Sequence, residues 1–245
     1  MSFQFTRPDN FPPIIKNIII INVLVWLAQL VFDSQYNLTN LFALWPVIPG
    51  ELRSQLLMEG VITDAQTFKP YQIATHFFTH SPQNMFHILF NMFGLWMFGR
   101  QLESVWGHKR FLLYYLACGV GAAALHMLIQ YFRAEALLTA LHSNNESAIM
   151  RNVGALGSMV GASGAVMGIM AAFAFYFPNT ELYMGFFPMP IKAKWLILGY
   201  AALDLFGGVA RASNDNIAHF AHLGGAITGF IIVLVWNKSN RRTLY

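Results

Sequence analysis

Residues 15–32 read IKNIIIINVLVWLAQLVF, eighteen positions with one charge, Lys16. A helix that crosses a bilayer needs about 20 mostly apolar residues, and this is the first of six such runs. The others cover residues 85–101, 111–131, 159–177, 195–209 and 217–236. The second and sixth open on polar residues. The predicted fold class is therefore an all-α membrane protein, a bundle of six transmembrane helices forming a single domain over residues 1–245.

Composition agrees with lipid as the solvent. Of the 245 residues, 56% are hydrophobic and only 11% are charged, against about 25% charged in soluble domains. The net charge of +4 would raise nucleic acid as a partner for a soluble chain. Here the basic residues sit in short segments between apolar runs, where they set orientation, and no nucleic acid is expected. Cys118 is the single cysteine and lies inside an apolar run, which excludes an intramolecular disulfide and a cysteine-based metal site. The polar, proline-containing start and the long first run do not read as a cleaved signal peptide.

Residues 33–79 are too long for a simple connection, and loops of that length are usually functional. Apolar clusters at 41–45 and 56–58 predict short helices lying in the interface. A second polar loop is expected at 133–156. With the N-terminus inside, Arg7, Lys16, Arg100, Lys109, Arg110, Lys192, Lys194, Lys238, Arg241 and Arg242 fall inside. Arg53, Lys69, Arg133, Arg151 and Arg211 fall outside. The inside set is twice as large, so both termini are expected in the cytoplasm. The second, fourth and sixth runs then all start at the outer face.

Each of those three starts carries polar residues, which are costly in a membrane and are functional candidates by default. The fourth run contains Gly161, Ser163, Gly164 and Gly168. Ser163 is expected about one turn into a helix, among residues small enough to let a peptide approach its hydroxyl. The glycines four apart equally read as helix-packing pairs, and taken alone this motif favours packing. The sixth run opens with His219 and His222, then Gly225 and Gly229. His222 and the two glycines share one helix face, so a close contact with Gly164 and Gly168 would bring His222 within reach of Ser163 as a nucleophile–base pair. The competing reading is a histidine bonded to a backbone carbonyl, or a metal site with His219, although zinc usually takes three or four protein ligands. The second run opens with His87 and Asn91, four apart and on one face, both able to donate to an oxyanion. For that pair alone, packing is the favoured reading. His76 and His80 are expected to hold the loop start in place. Asp204 in the fifth run either orients His222 or binds a backbone donor or the loop before the sixth run, and the second reading is favoured. Glu103 is expected to be structural, paired with Lys109 or Arg110.

The ordered set His87-x-x-x-Asn91, Gly161-x-Ser163-Gly164 and Ala221-His222-x-x-Gly225-x-x-x-Gly229 resembles the rhomboid intramembrane serine proteases, over most of the chain. The resemblance implies a six-helix core with a serine–histidine dyad and no catalytic aspartate. It makes Ser163 the nucleophile and His222 the general base, with the oxyanion held by His87, Asn91 and the backbone N–H of Ser163. It also implies an interfacial first loop, a cap over the site at about 208–216, and the fifth run as the substrate gate. No cofactor and no metal are implied. The substrates would be transmembrane segments of other membrane proteins, cleaved near the outer face of the bilayer. Many members carry an aromatic residue four positions after the serine; here it is Met167, which can still pack on imidazole. The rivals are a non-proteolytic rhomboid-like protein and a transporter, and the second would need polar residues through the full membrane depth. A compact chain points to a bacterial plasma membrane.

Overall fold

The computed structural model describes residues 11–183, 189–210 and 219–242. The long helices are α1 (Pro13–Tyr36), α5 (Met85–Trp106), α6 (His108–His142), α8 (Ser163–Tyr176), α9 (Ala193–Ala210) and α10 (His219–Arg242). Short helices α2 (Leu38–Phe42), α3 (Gly50–Met58) and α4 (Gln72–Thr75) occupy the segment between α1 and α5, and α7 (Glu146–Asn152) follows α6. Strands β1 (Glu181–Leu182) and β2 (Ile191–Lys192) form a small antiparallel pair between α8 and α9. Among the described residues, α1, α6 and residues 219–238 of α10 are long and apolar enough to cross a membrane. Helix α8 is apolar but only 14 residues long, about 21 Å at 1.5 Å per residue.

Helix ends follow local chemistry. Helix α1 starts on Pro13, whose missing N–H is no loss at a helix start. The next two donors, on Ile14 and Ile15, go to the two carboxylate oxygens of Glu103 at 3.0 Å each. Glu103 is 1% exposed and also bonds His108 Nδ1 at 2.7 Å. Glu103 is thus structural as expected, but its partners are a helix start and His108 instead of Lys109 or Arg110. A buried carboxylate gains more from amide donors that no helix turn can use than from basic side chains that reach water. Helix α5 is capped by Asn84, which accepts from the Phe86 N–H at 3.1 Å. Gly107, at φ 78°, makes the turn into α6.

Helix α6 runs to His142, well past the expected end near residue 131, so much of the expected 133–156 loop is helical. The extension buries Ala134, Leu137 and Leu138 against Leu52, Leu56 and Ile62 of the first loop and Ala155. The first loop does form short helices, as its apolar clusters predicted. Helix α8 lies at the centre, packed on α5, α6, α9 and α10. Its interior faces join Leu95, Phe98, Phe111, Tyr115, Ile169 and Phe173 in the main core. The Tyr114 hydroxyl donates to the Gly168 carbonyl at 2.6 Å, tying α6 to α8.

Candidate active site

Ser163 is the first residue of α8 rather than a full turn inside it, because residues 157–162 stay out of the helix. Irregular backbone packed inside a helix bundle must find its hydrogen bonds within the protein. Met159 exchanges both backbone bonds with Leu44 at 2.9 Å. The Gly161 N–H donates to the His76 carbonyl at 2.9 Å, and the Ala162 N–H faces His80 Nε2 at 3.5 Å. Gly161 has φ 116°, a region few other residues adopt, and a Cβ there would lie 2.7 Å from His87 Nε2. Glycine at 161 therefore allows both the turn into α8 and the approach of the His87 ring.

His76 and His80 hold the loop ahead of α5, as the sequence predicted. His76 Nδ1 bonds the Gln72 carbonyl at 2.8 Å. His80 is clamped through its backbone: its N–H donates to Gln29 Oε1 at 3.1 Å, and its carbonyl accepts from Gln29 Nε2 at 2.9 Å. Burial pushes the His76 imidazole down to about 4. Burial, then the neighbouring His87, pushes His80 down to about 3. Both rings are neutral in the fold near pH 7.

The α8–α10 contact is made by glycines. A Cβ on Gly225 would overlap the Gly164 carbonyl oxygen, and one on Gly164 would overlap Ala122. Gly168 is pressed between Cys118 and the Gly225 carbonyl, and Gly229 lies against Gly168 and the Tyr114 hydroxyl. With the backbones this close, His222 Nε2 reaches Ser163 Oγ at 2.8 Å. His222 is 7% exposed and Ser163 half-buried.

His87 and Asn91 stand on the other side of Gly161. The Ser81 N–H approaches His87 Nδ1 at 3.4 Å. If Nδ1 accepts, the proton of the neutral ring is on Nε2, the nitrogen that faces Gly161. Asn91 Nδ2 spends one hydrogen on the His87 carbonyl at 2.7 Å and lies 3.9 Å from where a Gly161 Cβ would be. Asn91 Nδ2 thus stands near Gly161, as His87 Nε2 does.

Asp204 meets histidines where the favoured sequence reading gave it a backbone donor or the loop before α10, and that loop lies outside the described residues. Asp204 is 4% exposed and binds two imidazoles. His222 Nδ1 lies 3.1 Å from each of its carboxylate oxygens, and His219 Nδ1 lies 2.7 Å from Oδ1. The sequence reading did not favour these partners because residues 204 and 222 are eighteen apart in sequence and meet only when α9 packs on α10. The aromatic ring beside His222 also comes from α9: Tyr200, 6.2 Å away by ring centroids. Met167 is buried in α8. The expected cap at about 208–216 lies mostly outside the described residues. Among the described residues no three His, Cys, Asp or Glu side chains are gathered so as to hold a metal ion; His219 and His222 each bond Asp204.

Residues 67–239, more than half the chain, match the Rhomboid domain family model. The chain belongs to the rhomboid family. It is 29% identical over 195 residues to RHOMBOID-like protein 12, mitochondrial, of Arabidopsis thaliana, covering 78% of this chain and 54% of that protein. It is 30% identical over 164 residues to Presenilin-associated rhomboid-like protein A, mitochondrial, of Danio rerio, covering 64% and 37%. With the Rhomboid protease AarA of Providencia stuartii the identity is 26% over 229 residues, covering 89% and 70%. The chain thus spans about half or less of these mitochondrial relatives. A rhomboid domain with apolar helices of spanning length is a helical bundle in the bilayer, and the protein is an integral membrane protein.

Proposed function

We propose that this rhomboid is an intramembrane serine endopeptidase that cleaves transmembrane segments of other membrane proteins. The observation that carries the reading is the 2.8 Å contact between His222 Nε2 and Ser163 Oγ at the start of a buried helix. Ser163 Oγ attacks the scissile carbonyl carbon while His222 Nε2 takes its proton. The carbonyl oxygen becomes an oxyanion, for which the donors at hand are His87 Nε2–H, Asn91 Nδ2–H and the Ser163 backbone N–H, one of the amides a helix start leaves unused. His222 returns the proton to the leaving amine, and water then hydrolyses the acyl-enzyme by the same route. A peptide bond within a helix hides its carbonyl, so substrates with glycine or other weak helix formers at the cleavage point are favoured.

In this reading the six long helices all span, both termini face the cytoplasm by the Lys and Arg bias, and the site opens to the outer side. The relatives include mitochondrial proteins as well as a bacterial one, so the bacterial plasma membrane rests on the reading of the chain alone. Fractionation of the source cells tests it.

The decisive experiment is labelling of the detergent-solubilised protein with a fluorophosphonate serine-hydrolase probe. Label is expected on wild type and, at equal or reduced rate, on His219→Ala. It is expected to be absent from Ser163→Ala and His222→Ala. A folded wild type that takes no label, under conditions where an active relative does, moves the reading to a non-proteolytic rhomboid-like protein that binds client segments.

A further inference from the structure

Helix α9 presents few residues to the bundle. Its buried positions are Ala193, Ile197, Asp204 and Gly208, spaced four, seven and four apart along one face. Trp195, Leu198, Leu203, Leu205, Phe206 and Val209 are exposed toward the surroundings. A carboxylate on the inward stripe of such a helix is expensive to bury unless it is fully hydrogen-bonded. Among the described residues, Asp204 meets that condition through α10, where His219 and His222 both turn Nδ1 toward it.

These contacts decide the state of His222. An ionised carboxylate only accepts, so the ring nitrogen facing it must carry the proton. With the proton on Nδ1, the neutral imidazole has a bare Nε2, and Nε2 is the atom 2.8 Å from Ser163 Oγ. That is the tautomer a general base needs; the opposite one would present an N–H to the serine. His219, bonded to Oδ1 at 2.7 Å, holds the carboxylate as well.

We propose that Asp204 is a positioning residue for the rhomboid site: it locks His222 in the Nδ1–H tautomer, so the nucleophile–base pair acts as an Asp204–His222–Ser163 triad assembled from α9, α10 and α8. This rests on the protease reading for its effect on rate, but the tautomer itself is independent of catalysis. The carboxylate takes no proton and forms no covalent bond. It orients the ring and stabilises the imidazolium formed when Ser163 attacks. In soluble triads, replacing the aspartate by asparagine leaves the geometry in place and lowers kcat by about 10⁴-fold through the wrong tautomer.

The test joins two readouts. Nitrogen NMR of ¹⁵N-histidine-labelled full-length protein in micelles, above the pH where exposed histidines titrate, reads the tautomer. The His222 signals are those lost in His222→Ala. Wild type is expected to show Nδ1 protonated and Nε2 bare. Asp204→Asn is expected to shift the ring toward the Nε2–H form and to slow fluorophosphonate labelling of Ser163 by about 10²–10⁴-fold, while Asp204→Glu restores part of both. A wild-type His222 protonated on Nε2 overturns the proposal, as does an Asp204→Asn variant with an unchanged tautomer and labelling rate. If the tautomer follows Asp204 but wild type takes no label, the positioning stands and the protease reading fails.

Discussion

Helices α8 and α9 both pack on α10, and they do it by different physics. On the α8 side glycine meets backbone directly, and Gly225 tolerates no Cβ against the Gly164 carbonyl. On the α9 side a single buried carboxylate reaches two histidines, and most large side chains of α9 point away. Close packing sets where His222 sits relative to Ser163, because a backbone contact has no rotamer to adjust. A side chain sets how the ring is protonated, because packing alone cannot distinguish two tautomers of one shape. The glycine contact is therefore intolerant of any added atom.

The largest effect is expected where that intolerance is greatest. Gly225→Val should separate α8 from α10, abolish probe labelling of Ser163, and cost at least the 1–3 kcal/mol typical of an overpacked core. Thermal unfolding in detergent together with labelling measures both. A variant that labels at the wild-type rate would break the comparison. A middle-sized effect tests the loop that holds residues 159–162 from the other side. His76 and His80 sit in the fold at about 4 and 3, below the ordinary 6.5, so between those values the unfolded chain binds more protons than the fold. Stability is then complete above pH 6.5 and is lost as pH falls toward 4 and 3. Each unit of displacement is worth about 1.4 kcal/mol, so acidification from pH 7.5 to 4.5 should lower the melting temperature clearly, and less so in His80→Asn. A melting temperature flat over that interval would show that the two rings are not held buried and neutral in the fold. The smallest effect concerns α9. Tyr200→Leu removes the ring beside His222 but leaves Asp204, and should slow labelling by no more than about tenfold, in line with the 0.5–1.5 kcal/mol of an aromatic contact. A loss as large as that of Asp204→Asn would mean that the ring, not the carboxylate, governs α9's influence.

Much of this architecture was legible in the chain. The apolar runs located every long helix, since length and hydropathy are local properties that lipid reads directly. The polar starts of three runs marked Ser163, His222, His87 and Asn91 as candidates, since polar groups in a membrane are costly wherever they occur. Helix ends were less legible. The run near 111–131 gave no sign that α6 continues to His142, because the added turns are supported by Leu52 and Leu56 from a distant loop. Nor did the run at 159–177 reveal that the helix starts on Ser163, because the preceding segment is held by Leu44, His76 and His80.

The sequence by itself determined that the chain lives in a membrane, where its long helices lie, and which polar residues are candidates for chemistry. All of these follow from short-range composition and spacing. Only the tertiary structure decided that Glu103 caps α1, that Gly225 lies on the Gly164 carbonyl, and that Asp204 on α9 faces two histidines of α10. Each of these joins residues far apart in sequence, and the partner of a buried charge is chosen by which helices come to lie side by side, which no local pattern records.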